Sequence, residues 1–163
     1  MSDHALPDAV RIARTTGDWH PLIAALPYVG FLGSHFTIID GRLIGRMPFA
    51  DHLVGNPMLP ALHGGTLAGL LESAAHLELL FDESTTVLPK TITSTVDYLR
   101  SGRPLDTLVL AKVFKRGRRV CTVHATAWQD DETKPIATAT IQLLILGAQT
   151  PVEAAAGTNE SES

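Results

Sequence analysis

The sequence predicts an α+β domain in which a curved antiparallel sheet covers a single central helix. Three observations carry this expectation. Only one long helical pattern occurs in the body of the chain, His63 to Phe81, and it is apolar over most of its circumference, so it must be wrapped on nearly all sides. Two strand patterns precede it and four follow it. The connections between those strands are short, which favours antiparallel pairing.

Taken in order, residues 5 to 26 carry Ala, Leu, Val and Ile at roughly helical spacing, interrupted by Gly17 and by Pro7, Pro21 and Pro27. This reads as short helices forming a lead-in arm, residues 1–30, that packs on the domain. Ser34 to Pro48 reads as strand, Asp40-Gly41 and strand, because both residues of a tight hairpin turn must tolerate positive φ. A loop dense in turn residues runs from Asp51 to Pro60. After the break at Pro89 come four runs rich in Thr, Val and Ile: Lys90 to Leu99, Thr107 to Phe114, Arg119 to Trp128 and Pro135 to Leu146. The domain therefore spans residues 31–147. Residues 148–163, rich in Ala, Gly, Ser, Thr and Glu, are expected to form a mobile tail. The order β-β-α-β-β-β-β resembles the hotdog fold, with the helix as the sausage and the sheet as the bun.

At 163 residues, 45% of them hydrophobic, the chain is long enough for one sizeable core and too short for two ordinary domains. The single cysteine, Cys121, cannot close an internal disulfide, and no Cys/His cluster has metal-ligand spacing, so a reducing, cytoplasmic setting without a metal is expected. The first residues lack the basic stretch and apolar run of a signal peptide, and no apolar segment approaches the ~20 residues needed to span a bilayer. With 13 Lys and Arg against 17 Asp and Glu, the balance argues against a nucleic-acid binder, whose affinity comes from neutralising phosphates.

The run Leu62-His63-Gly64-Gly65-Thr66-Leu67-Ala68-Gly69-Leu70-Leu71-Glu72-Ser73-Ala74 carries the chemistry. The first N–H groups of a helix lack intrahelical acceptors and sit at the positive end of its dipole, where they stabilise an oxygen gaining negative charge. Glycine lets a bulky substrate approach that backbone, because no Cβ intervenes. Two turns later Glu72 interrupts an apolar helix, and a buried carboxylate is costly unless it is hydrogen-bonded or functional. Each residue also has a plainer reading. Paired glycines commonly mark a turn before a helix, a histidine there commonly satisfies loop backbone, and Glu72 could simply pair with His76 four residues on. Glu78, near the end of the helix, reads as part of a solvated face.

The combination resembles the signature of hotdog thioesterases of the phenylacetic-acid-degradation type, a branch of the 4-hydroxybenzoyl-CoA thioesterase superfamily, in which His-Gly-Gly is followed by Asp or Glu nine residues after the His. His63 and Glu72 keep that spacing. The likeness extends to Thr93-Ser94-Thr95-Val96-Asp97-Tyr98-Leu99-Arg100 and, as an order of elements, from Phe36 to Leu146. It implies that Gly64, with Gly65 beside it, offers the oxyanion N–H and that Glu72 acts as general base or nucleophile. It also implies that Thr91 helps to place the attacking water, although a plain β-former would stand there equally well. Asn56 matches the family's water- or carbonyl-orienting Asn, but lies one residue farther from the His than usual, with Pro57 and Pro60 reshaping the loop. His76 stands where relatives with a catalytic Glu place a small hydroxyl residue; it could hold Glu72, share its proton or fill space, and the first reading is favoured.

Thioester hydrolysis needs no metal or organic cofactor. An acyl-CoA substrate does bring phosphates, for which the candidates are Arg100 and Arg103 after one strand and Lys115, Arg116, Arg118 and Arg119 around the next hairpin, unless these are merely solvated tips. A hotdog hydratase or dehydratase, a non-catalytic acyl-CoA sensor and a purely structural hotdog protein are the rivals. Nothing in the sequence shows the separate His and acid pair of the first, and residues 1–30 are neither long nor basic enough for the DNA-binding module of the second. A helix rises ~1.5 Å per residue, so Gly64 and Glu72 lie roughly 12 Å apart along one axis. One carbonyl cannot touch both, and an obligate homodimer with two composite sites is expected. The resemblance implies the same, often with further pairing into a homotetramer.

Overall fold

The computed structural model describes residues 5–81 and 87–145; the expected tail lies outside them. Six strands form one antiparallel sheet: β1 (His35–Ile39), β2 (Arg42–Met47), β5 (Lys90–Tyr98), β6 (Thr107–Arg116), β7 (Val120–Trp128) and β8 (Ala137–Leu144), in the order β1-β2-β6-β7-β8-β5. The central helix α4 (Gly64–Phe81) lies against its concave face, and this is the hotdog arrangement. Asp40 and Gly41 take φ of 51° and 74°, the conformation that closes the two-residue β1–β2 hairpin.

The Asp51–Pro60 loop is more ordered than its turn residues suggested. It holds a short 3₁₀ turn and β3 (Val54–Asn56), which pairs with β4 (Ala61–Leu62) just before α4. Gly55 permits this, because a Cβ there would stand 2.7 Å from the His63 Cα. The His63 N–H donates to the Leu53 carbonyl and the Leu62 N–H to the Gly102 carbonyl, so the start of α4 is pinned from two sides.

The inward face of β7 and β8 is built largely from small residues, including Ala125, Ala127, Ala137 and Ala139, so the leucines of α4 fill the space against it. Leu67, Leu70, Leu71, Leu77, Leu79 and Leu80 are all buried. The N-terminal helices α1 (Ala5–Thr16), α2 (His20–Ala24) and α3 (Pro27–Phe31) join the same core through Val10, Ala13, Trp19, Leu22 and Val29. Each fully buried Val or Leu contributes roughly 1.5–3 kcal/mol, Trp19 packs on Phe81, and Arg14 donates to the Leu80 carbonyl.

Strand β5 returns across α4 to the far edge of the sheet, beside β8. Its register slips between Thr91 and Thr93, so Ile92 is the extra residue of a β-bulge. Directly opposed residues of an antiparallel pair face the same side. Tyr98, Val96, Ser94 and Thr91 stand opposite the buried Ala137, Ala139, Ile141 and Leu143 and therefore face the helix. Without the bulge, strict alternation would have turned Ile92 inward and Thr91 outward.

Candidate active site

Because the bulge aims Thr91 at α4, its hydroxyl donates to Glu72 Oε1 at 2.6 Å and lies 3.2 Å from His76 Nε2. A hydroxyl has one proton. While that proton goes to the Glu72 carboxylate, the bond to His76 requires an Nε2–H, and the three groups form a directed chain from imidazole through hydroxyl to carboxylate. Glu72 and His76, four residues apart, share one face of the helix, and both are half-buried. They line a cavity of about 340 Å³ with Gly69, Leu26, Tyr28 and Leu88. Glu78 is also half-buried rather than fully solvated, but does not line that cavity.

Burial pushes the His76 imidazole below its ordinary value of 6.5; the Glu72 carboxylate and the Glu72 and Pro89 carbonyls pull the other way without prevailing. The sign for stability follows. As pH falls below 6.5 the unfolded chain takes up a proton that the folded chain still refuses, so the unfolded state gains and stability is lost. Above 6.5 the penalty vanishes. His76→Asn should therefore lose less stability than the wild type between pH 7 and pH 5, read as urea midpoints at each pH. Parallel curves for the two proteins would show that burial of the ring carries no such penalty.

The helix start forms a second locus. Gly64 lines another cavity, of about 450 Å³, with Leu67, Tyr98, Leu99 and Arg100. Its N–H is the first of α4 and has no intrahelical acceptor. The Tyr98 hydroxyl donates to the Gly64 carbonyl at 2.8 Å, and a Cβ on Gly64 would stand 3.2 Å from the Tyr98 ring, so the glycine makes room for the tyrosine as well as for a ligand. The Gly65 N–H is already taken by His63 Nδ1 at 2.8 Å, which leaves neutral His63 with its proton on Nε2. Asn56 Oδ1 accepts from the backbone of Met58 and Leu59, closing a local turn.

The predicted site residues thus fall into two groups at opposite ends of one strand. Thr91 joins Glu72 and His76 at the start of β5, and Tyr98 joins Gly64 at its end. Tyr98 belongs to the Tyr-Leu-Arg run but had no role on sequence grounds. Tyr28 was likewise unassigned, since only the folded arm brings it onto the helix at Gly69.

The basic residues divide the same way. Arg100 and Arg103 lie at the Gly64 end, where Arg100 donates to the Pro135 carbonyl and Arg103 pairs with Asp130. Asp131 there is held at about 2 by its bonds to Thr133 and Lys134, so it stays anionic and offsets the local positive charge. The β6–β7 hairpin tip, with Arg116 and Arg118, lies at the Thr91 end, because Thr91, Leu143, Cys121 and Arg116 stand in one cross-strand row. No acidic residue occurs between Thr107 and Gln129.

Comparison with known proteins bears on this geometry. Residues 55–144 match the acyl-CoA thioesterase N-terminal domain, a stretch that contains α4 and β5 to β8 and hence both groups of site residues. A crystal structure from Chromobacterium violaceum is 33% identical, covers 87% of this chain and 99% of its own, and superposes with a TM-score of 0.71. A phenylacetic acid degradation-related protein from Ralstonia eutropha is 24% identical over 74% of this chain and 90% of its own, with a TM-score of 0.65. A thioesterase from Streptococcus pneumoniae, solved with coenzyme A, shares the fold at 18% identity over 72% of this chain and 91% of its own, with a TM-score of 0.59. A comparison with curated protein sequences found no match. Among the described residues no helix is long and apolar enough to cross a membrane. The match over more than half its length, on the hotdog architecture, makes this chain a member of the acyl-CoA thioesterase family and a thioester hydrolase.

Proposed function

We propose that the protein hydrolyses an acyl-CoA to free acid and CoA at two composite sites of a homodimer, with Glu72 of one subunit and the Gly64 N–H of the other acting on the same thioester. The single observation that carries this reading is the Thr91–Glu72 hydrogen bond, which holds the one carboxylate among the described residues lining the cavity. Glu72 serves as general base for a water, or attacks the carbonyl carbon itself, while Gly64 stabilises the oxyanion. His76 acts through Thr91, keeping the hydroxyl turned to the carboxylate. His63 supports the helix start by occupying the Gly65 N–H. The chemistry draws on no metal or organic cofactor.

Strand β5 supplies the support for a dimer. Ile92, Tyr98 and Leu99 on this edge are 50%, 54% and 51% exposed, a costly surface for an unpaired strand. A two-fold pairing of β5 with its copy about the strand's middle sets Thr91 of one subunit opposite Tyr98 of the other. The Glu72 end of each subunit then meets the Gly64 end of its neighbour, closing the gap of roughly 12 Å that separates the groups within one chain. Further pairing into a tetramer is compatible with this edge-to-edge dimer.

CoA-bound relatives support a CoA substrate here. Its phosphates are assigned to Arg116 and Arg118 of the β6–β7 hairpin, which lies at the Glu72 end, with Arg100 at the partner's end of the same site; Arg103 pairs with Asp130. Neutralising Arg116 and Arg118 together should raise KM for acyl-CoA tenfold or so, with little effect on a short thioester lacking the nucleotide. An equal effect on both substrates would indicate general damage. The reading as a whole is tested by following free thiol released from acyl-CoAs by the wild type and by the Glu72→Ala protein.

A further inference from the structure

We infer that Tyr28 is the specificity-determining residue of this enzyme, closing the cavity beside Glu72 so that it accepts uncharged, apolar acyl groups of limited length. The inference rests on Glu72 marking the reacting end of the thioester.

The Tyr28 ring lies directly on the helix at Gly69, where a Cβ would come within 2.5 Å of Cε1 and 2.8 Å of the hydroxyl. Only glycine allows that approach. Gly69 precedes Glu72 by three residues and so shares its face of α4, which sets the aromatic wall one turn from the carboxylate.

Tyr28 is 51% exposed, but its backbone is anchored: Val29, beside it in α3, and Leu32, at the end of that helix, are buried in the core. Tyr28 stacks on Phe31 with centroids 5.9 Å apart, and Phe31 packs on His52, whose Nε2 is 3.1 Å from the Phe31 carbonyl. The N-terminal segment is thereby tied to the loop that leads into the catalytic helix.

Chemistry and volume define the occupant. Away from Glu72 and His76 the walls are Leu26, Pro27, Val29 and Leu88, and the Ser73 hydroxyl is spent on the Gly69 carbonyl. A second carboxylate in the acyl group would lose its water against these apolar walls, meet no Lys or Arg among the described lining residues, and face Glu72. A dry cavity of ~150 Å³ holds a benzene, so 340 Å³ takes on the order of ten carbons, part of the space being needed by the carbonyl and its water. Phenylacetyl and medium-chain acyl groups fit, and a palmitoyl chain does not.

The test measures kcat/KM for acetyl-, octanoyl-, phenylacetyl-, palmitoyl- and succinyl-CoA with the full-length wild type and with Tyr28→Ala, Tyr28→Leu and Tyr28→Phe proteins. The wild type should prefer octanoyl- or phenylacetyl-CoA over palmitoyl- and succinyl-CoA by tenfold or more. Both truncations should raise the palmitoyl-to-octanoyl ratio about tenfold, the scale of a change of one or a few methylenes in an apolar pocket. Tyr28→Phe, which keeps the ring, should retain the wild-type ratio. Ratios unmoved in Tyr28→Ala and Tyr28→Leu, or a wild type indifferent to chain length, would overturn the assignment. Failure of the catalytic reading looks different: the Glu72→Ala protein would then stay active whatever the Tyr28 ratios do.

Discussion

Glu72→Ala is expected to lower kcat by a hundredfold or more while leaving secondary structure and CoA affinity close to those of the wild type. Loss of a general base, the role proposed for Glu72, costs 10²- to 10⁴-fold, and among the described residues this is the one carboxylate lining the cavity beside Thr91. The half-buried position allows the fold to survive, since truncation removes a group that is costly to bury and strands only the Thr91 hydroxyl, which can turn to His76. The measurement is release of CoA thiol under saturating substrate, with circular dichroism as the check on folding. Retention of more than about a tenth of wild-type turnover removes Glu72 from the mechanism. Substitution of Glu78, which lies outside the cavity, should leave turnover near the wild-type level.

The second large effect is a recovery. Glu72→Ala and Gly64→Pro proteins should each be inactive, the latter because proline has no N–H to offer the oxyanion. Proline is tolerated in the first turn of a helix, and the exposed Tyr98 ring, 3.2 Å from a Cβ at position 64, must shift slightly to admit it. Unfolded together and refolded, the two chains pair at random, and half of the dimers are mixed. Each mixed dimer has one site made wholly of wild-type groups and one lacking both, so about a quarter of wild-type activity returns. No recovery, with mixed dimers demonstrated by differential tagging, would place each site within a single subunit and dismiss the composite arrangement.

The sequence made the fold legible because its main elements are governed by local patterns: Asp40-Gly41 for the hairpin, an apolar run for α4, and Thr- and Val-rich strands broken by Gly and Pro. Glu72 was legible for a related reason, as a charge interrupting that run. The Asp51–Pro60 loop was less so, since β3 and β4 are only three and two residues long and exist because Gly55 lets the chain touch His63. Tyr28 could not be found from its neighbours in sequence; its partner, Gly69, is 41 positions away and became meaningful only when a ring was found where its Cβ would be. Thr91 was nominated by the resemblance alone; its contacts with Glu72 and His76 depend on the bulge at Ile92, which no local pattern in the sequence reveals. Assigning the basic residues to two ends of the sheet, the β6–β7 hairpin at one and the loop with Asp130 and Asp131 at the other, required the cross-strand register.

The bulge at Ile92 makes the active site a matter of counting. Everything upstream of it on β5 is half a turn out of phase with everything downstream, so the same strand offers a hydroxyl to the carboxylate at one end and a phenol to the helix start at the other. Seven positions separate Thr91 from Tyr98, an odd interval that a regular strand would spend on opposite faces. Substitutions along this stretch alter one contact at a time, whereas straightening the bulge with every residue kept would exchange the roles of Thr91 and Ile92 and leave the carboxylate facing an isoleucine. The irregularity at Ile92 therefore decides which side chain of β5 meets Glu72.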